Sequence, residues 1–257
     1  MIEFDDAESR RVEAAYRTAD VVEQRRLMLE ALRLAPGESV LDVGSGPGLL
    51  AAEMAAALGP MGAVHGLEPS ESMRALARAR ALADDAAPMA FVSGDAAALP
   101  FEDASFDVVV STQVYEYVAD LPPALAEAHR VLRPKGCLAV LDTDWASIVW
   151  RSSDDARMRR LLAAWDEHLA HPHLPQSLTP LLRDAGFRVT ERTTIPLLNA
   201  GWDPDTYSRH LIGFISAFVP GRQGITEDEV AAWAHDLVDQ GPDYFFSLNR
   251  YLFIAER

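Results

Sequence analysis

Val40-Leu41-Asp42-Val43-Gly44-Ser45-Gly46-Pro47-Gly48 is an apolar run that passes directly into a glycine-rich turn, and the apolar segment Leu49–Leu58 follows it. The pattern predicts a strand, a tight turn and a helix. Gly44 and Gly46 remove side chains where backbone must bend or approach a ligand, and Pro47 presets φ near a helical entry. The helix start offers unpaired N–H groups to a carboxylate or another anion. These are the parts of a nucleotide-like cofactor cradle. A dinucleotide fingerprint, G-x-G-x-x-G, needs glycine at position 49, where this chain has leucine. An NAD-dependent oxidoreductase is therefore disfavoured. No Lys-Ser/Thr pair closes the loop, so it is not a phosphate-binding P-loop either.

Working outward, apolar runs and helical patterns alternate as in a parallel sheet with crossover helices. Strands are expected at 39–43, 63–67, 89–93, 106–111 and 137–141. Helices are expected at 48–58, Ser70–Ala83 and Leu121–Leu132, with Ser70 capping the second. The strands are continuous apolar runs, as a sheet buried on both faces requires. Upstream, Asp20 is placed to cap a helix over Val22–Leu32, which Pro36-Gly37 ends. After Asp142 the periodicity changes. A long helix is expected over 154–170, then a proline- and histidine-containing segment, and a helix over 178–185 stopped by Gly186. A strand over Phe187–Leu198 and a helix over 204–218 follow. Thr226 and Glu229 fit a capping box for a helix over 226–239, and Tyr244–Ala255 is the last strand.

Six segments, in order, carry a family resemblance. They are Asp42–Gly48, Gly66-Leu67-Glu68-Pro69-Ser70, Gly94-Asp95-Ala96, Leu99-Pro100-Phe101, Ser105-Phe106-Asp107-Val108-Val109 and Arg130-Val131-Leu132-Arg133-Pro134-Lys135-Gly136. Across about residues 35–145 the chain resembles the class I S-adenosylmethionine-dependent methyltransferases, notably the ubiquinone/menaquinone-biosynthesis and small-metabolite group. The resemblance implies an α/β, Rossmann-like, seven-stranded, mostly parallel sheet with helices on both faces and a small helical cap. It implies S-adenosyl-L-methionine as cofactor and S-adenosyl-L-homocysteine as product. The whole of 1–257 is read as a single methyltransferase domain, with 1–35 an N-terminal helical lid and 146–176 and 200–224 cap insertions beside the acceptor pocket.

The cofactor residues follow. A carboxylate closing the second strand, Glu68, suits the two ribose hydroxyls through charge-assisted hydrogen bonds. Pro69 turns the chain after it, and Met73 joins the apolar side of the pocket. The resemblance places Asp95, between Gly94 and Ala96, beside the adenine amino group, where an acceptor-only side chain is suited. Asp42 lies under the methionine portion, next to Gly44, Ser45 and Gly46. Gln113, at the ligand end of the fourth strand, is expected to contact the methionyl group, and Tyr16 to reach the cofactor from the lid. Asp107, at the opposite end of that strand, reads as structural.

Methyl transfer from a sulfonium needs alignment more than acid catalysis. On the acceptor side the expected residues are Tyr117, Asp144 and His171, with Tyr207 and His210 secondary. His168, His171 and His173 stand in a segment broken by Pro172 and Pro175 with no cysteine nearby, a poor metal set. No metal is expected.

Composition narrows the acceptor. The 257 residues, 49% hydrophobic, carry 23 basic and 39 acidic side chains, a formal charge of −16. Such a surface repels nucleic-acid phosphates and anionic lipid at long range. A nucleic-acid partner is not expected. One cysteine, Cys137, excludes an internal disulfide and fits a reducing compartment. A lone thiol also argues against trivalent arsenic as acceptor. No apolar run is long enough for stable membrane insertion, and the acidic start is no secretory signal, so a cytoplasmic location is the expectation. The leading reading is methylation of oxygen or nitrogen on a small, partly apolar metabolite. Carbon methylation of a quinone-like compound and non-catalytic cofactor binding are the alternatives, and monomer versus homodimer is left open.

Overall fold

The computed structural model describes residues 5–80 and 82–257. Its centre is a sheet in which β1 (Ser39–Val43), β2 (Ala63–Leu67), β3 (Met89–Val92), β4 (Phe106–Thr112) and β5 (Leu132–Thr143) run parallel. They stand in the order β3-β2-β1-β4-β5. β8 (Phe245–Glu256) pairs antiparallel with β5, and β7 (Arg188–Ala200) covers the other edge of β8. A two-residue strand, β6 (Val149–Trp150), extends the β5 side of β8. Among the described residues the sheet thus has eight strands, the seven expected plus this short addition.

Alternation of side chains along the strands divides the core between two faces. Leu41, Val43, Val109, Leu138 and Val140 pack with α5 (Leu121–Val131) and α7 (Leu174–Asp184). Val40, Val64, Val108, Val110 and Ala139 pack with α2 (Ala19–Leu32) and α3 (Leu49–Leu58). A further apolar cluster joins α6 (Asp155–Trp165), α8 (Tyr207–Phe218) and α9 (Glu227–Val238) to the start of β8. α1 (Asp6–Tyr16) and α4 (Glu71–Arg78) complete the helices.

Several boundaries differ from expectation, each for a local reason. Thr18 holds the N-cap position of α2, its hydroxyl donating back to Ala15 O at 2.8 Å, so Asp20 falls inside the first turn. The Asp20 carboxylate accepts instead from Tyr207 N at 3.0 and 3.1 Å and from Asn199 Nδ2 at 3.0 Å. It caps α8, 187 residues away in sequence. α4 ends at Arg78, short of the expected Ala83; residue 81 lies outside the described residues. The expected helix over 154–170 closes at Trp165 and tightens into a single 3-10 turn. α7 starts at Leu174 rather than 178, because Pro175 falls in its first turn, where no intrahelical N–H is needed. β5 begins at Leu132, five residues early, past a register shift against β4. Among the described residues no helix is long and apolar enough to cross a membrane.

Candidate active site

A cavity of about 510 Å³ opens above the carboxyl ends of β1, β2 and β4, the side on which open α/β sheets bind ligands. Its floor is the glycine turn. Gly44 has φ +71°, and a Cβ there would stand 2.3 Å from Val114 Cγ2, so only glycine lets these two loops meet. Ser45 and Gly46 line the cavity beside it; a Cβ at Gly46 would meet nothing within 4 Å.

Glu68, at the end of β2, fastens this turn to its own strand. One carboxylate oxygen accepts from Gly46 N and the other from Ser70 N, both at 2.9 Å. Each oxygen retains a second lone-pair direction for a ligand hydroxyl. Burial raises the Glu68 pKa against the lowering effect of those two backbone bonds and of Arg74. Pro69 and Met73 continue the wall, and Gly94, Asp95 and Ala96 form its far side. Asp95 accepts from Ala97 N at 2.9 Å, which sets the loop after β3.

Asp42 is 2% exposed, lines the cavity, and has no hydrogen-bond or ion-pair partner among the described residues. Burial, and then the charge of Glu68, push its pKa up to about 7. A buried, unpartnered carboxylate is costly unless a cation completes it. Ser45 Oγ is likewise buried without a partner. The floor is therefore built for a ligand with positive charge and hydrogen-bonding groups, which fits the sulfonium and ammonium of S-adenosylmethionine.

Gln113 closes β4 with φ +56°, a left-handed conformation that costs a non-glycine residue energy. Its amide is held by Leu141 O at 3.2 Å and by the Thr143 hydroxyl. Tyr16 of α1 and Gln24 and Arg25 of α2 cover the cavity from above. Tyr117 lines the end away from β2. Tyr117 is partly open to solvent, at 36% exposure, and desolvation of its phenol, then the charge of Glu116, raise its pKa. It is a hydrogen-bond donor at neutral pH and not a base.

All twelve residues expected around the cofactor thus surround one cavity, and Tyr117 joins them. Asp144 and His171 are not among its lining residues. Asp144 is 8% exposed and already engaged: it accepts from Ala146 N at 3.2 Å and Gln176 Nε2 at 2.9 Å, and lies 3.2 Å from His173 Nδ1. His171 brackets Tyr117 from outside. Its backbone N–H donates to Glu116 O at 2.9 Å and its ring Nε2 lies 3.0 Å from Val118 O. His168 stacks on Trp165 at 3.7 Å, and burial lowers its pKa to about 4. Among the described residues no group of three potential ligands could hold a metal ion. Asp107 accepts from Ser39 N at 2.9 Å and from Arg133. It ties β1 to β4 at the end remote from the cavity.

Sequence reading passed over Arg250, on β8, which also lines the cavity although it is 1% exposed. A signal was present: a charge inside the otherwise apolar run Tyr244–Ala255 must have a partner or a task.

The fold and this site define a Rossmann-like protein that holds a cationic, nucleoside-bearing cofactor. A methyltransferase-domain family model matches residues 41–140. The chain is 31% identical over 181 residues to the demethylmenaquinone methyltransferase of Listeria welshimeri, covering 65% of this chain and 77% of that one. It is 32% identical over 243 residues to an uncharacterised 37.1 kDa transposon protein of Streptomyces fradiae, covering 90% of this chain but 66%, just under two thirds, of the relative. Phosphoethanolamine N-methyltransferase 2 of Haemonchus contortus, solved with S-adenosyl-L-methionine, superposes with a TM-score of 0.61 at 18% identity, over 98% of this chain and 57% of that one. The chain belongs to the class I S-adenosylmethionine-dependent methyltransferases. Its cofactor is S-adenosyl-L-methionine, with S-adenosyl-L-homocysteine as the product.

Proposed function

We propose that this protein transfers the cofactor's methyl group to an oxygen or nitrogen atom of a small, partly apolar metabolite. The observation that carries the reading is continuity. One cavity runs from the carboxylates of Asp42, Glu68 and Asp95, past the glycine turn, to Tyr117 and Arg250. Its volume of about 510 Å³ falls within the usual range for small-ligand sites.

When bound, the sulfonium supplies an electrophilic methyl carbon whose bonding electrons stay with sulfur as it leaves. Everything else is positioning by the protein. Glu68 takes the ribose hydroxyls, and Asp95 with Ala96 takes the adenine edge. Asp42 would compensate the positive charge of the methionyl end, and the Ser45 hydroxyl, without a partner among the described residues, would donate to the cofactor's carboxylate. Pro69, Met73 and Gly94 supply apolar and close-packed walls. Gln113, locked by Leu141 and Thr143, would hold the methionyl chain in the cavity that Tyr117 also lines. Tyr16 and α2 close over the site as a lid and exclude water. Holding nucleophile, carbon and sulfur in line supplies the rate term.

In this reading Asp144 and His171 act through geometry. Asp144 organises the loop over 171–176, and His171 in turn fixes Tyr117. The lone thiol, Cys137, is not at the cavity, in keeping with an acceptor other than arsenic. Kinship with a demethylmenaquinone methyltransferase favours carbon methylation of a quinone-like compound as the second reading.

The deciding experiment incubates the protein with S-adenosyl-L-methionine and a metabolite extract. Mass spectrometry then seeks S-adenosyl-L-homocysteine together with a compound that has gained one methyl group, and NMR assigns the methylated atom. Methylation of O or N supports the proposal, a new C–CH3 supports the second reading, and tight cofactor binding with no product would leave a binding protein.

A further inference from the structure

The cavity is unevenly charged. Its cofactor half presents the carboxylates of Asp42, Glu68 and Asp95, a fourth carboxylate, Asp120, stands exposed at the rim beyond Tyr117, and its cationic lining residues among those described are two, Arg25 and Arg250. Arg25 is committed, with Nε donating to Glu53 at 2.9 Å and Nη1 to the Tyr16 carbonyl. Arg250 is only partly so. One Nη donates to Gln24 Oε1, the guanidinium also hydrogen-bonds the Tyr207 hydroxyl, and its carbon stands 4.6 Å from the centre of the Tyr207 ring. Its Nε–H is buried without a partner among the described residues. No carboxylate forms an ion pair with it among the described residues. Glu116 and Asp142 lie within electrostatic reach, but neither lines the cavity. Glu116 accepts from Trp145 Nε1 at 3.2 Å, and Asp142 from Val114 N at 3.1 Å.

The strand that carries this cation is set apart from the cofactor floor. Arg250 pairs with Thr143 across β5 and β8. In the order β1-β4-β5-β8, it is three strands from the glycine turn, roughly 14 Å at ordinary strand spacing. A desolvated guanidinium with a free donor is a fork shaped for an oxyanion. Resting on the methyl-transfer reading, we propose that Arg250 anchors an anionic oxygen group, carboxylate or phenolate, of the methyl acceptor, so that the acceptor is a small organic acid. A cationic cofactor over Asp42, Glu68 and Asp95 and an anionic group against the buried Arg250 then each meet a complementary charge, while Asp120 stays at the exposed rim. Tyr16 and Tyr117, which line the same cavity, suit an acid built on an aromatic ring.

The test uses full-length protein saturated with S-adenosyl-L-homocysteine, titrated calorimetrically at pH 7.5 with 4-hydroxybenzoate and with its neutral amide. The expected result is roughly tenfold or greater preference for the acid, the worth of one hydrogen bond to a charged group. That preference should vanish in Arg250→Met and return in part in Arg250→Lys, with S-adenosyl-L-homocysteine affinity within threefold of wild type in both. Equal binding of the two probes by wild type, or binding of neither, overturns the proposal, and this comparison stands even if a variant fails to fold. A loss of more than tenfold in S-adenosyl-L-homocysteine affinity in Arg250→Met also overturns it, because the guanidinium would then hold the cofactor's own carboxylate. If wild type fails to bind S-adenosyl-L-homocysteine at all, the methyl-transfer reading falls and this inference with it.

Discussion

Glu68 does two things with one carboxylate. It holds the glycine turn through Gly46 N and Ser70 N, and it faces the cavity with the lone pairs that remain. Those functions separate experimentally. Glu68→Gln keeps the shape and an acceptor oxygen but loses the charge, whereas Glu68→Ala loses both. We expect S-adenosyl-L-homocysteine to bind at least about tenfold more weakly to the alanine variant, with glutamine between it and wild type. Calorimetry showing unchanged affinity in Glu68→Ala would remove Glu68 from ribose binding.

Residue identity was enough to find these groups because the glycine, carboxylate and turn residues sit close together in sequence at strand ends. It was not enough for Asp144, whose segment reads as an acceptor-side loop. Its partners Gln176 and His173 lie 32 and 29 residues away, and a sequence does not state that they converge on one carboxylate.

Elements are joined by side chains that local patterns do not announce. Asp20 reaches from the first turn of α2 to the N-terminus of α8 and to Asn199 on β7. It so ties the covering helices to the far edge of the sheet. Asp20→Ala should cost about 1–2 kcal/mol, the usual worth of a helix cap, seen as a fall in Tm of roughly 2–6 °C. An unchanged Tm would mean solvent replaces this cap without loss.

His171 offers a second test of coupling between elements. Its two contacts flank Tyr117, so His171→Ala should lower kcat with little change in cofactor affinity. Replacement by Asn, which can still donate to the Val118 carbonyl, should recover part of the loss. A general-base role predicts something different, a changed pH profile with no recovery by Asn.

For the molecule as a whole, buried carboxylates set the response to pH. Asp42 has an ordinary pKa of 3.8 and one of about 7 in the fold. Between those values the folded chain keeps a proton that the unfolded chain has released, so this group's contribution to stability falls as pH rises through the window. The full loss is on the order of 4 kcal/mol. Lowered carboxylates such as Glu127 and Asp236 act oppositely, because their stabilisation is lost as pH falls. A difference measurement isolates Asp42: the Tm of Asp42→Asn minus that of wild type should grow from pH 5 to pH 7.5 without ligand. A flat difference would show that Asp42 ionises normally. Cofactor binding, by pairing Asp42 with a cation, should release a proton near pH 6, read as a dependence of calorimetric heat on buffer ionisation enthalpy.

By itself the sequence determined the order of strands and helices, the glycine turn and the carboxylates at the ends of β1, β2 and β3. Those features depend on period, chain stiffness and turn chemistry over a few neighbouring residues, which a single stretch contains in full. Tertiary structure alone decided which polar groups would be used up by protein partners and which would be left facing the cavity. Asp144 was consumed, whereas Asp42 and Arg250 were left open. That division follows from contacts between residues 29 to 226 positions apart, and its energy depends on burial, which exists only once the chain has folded.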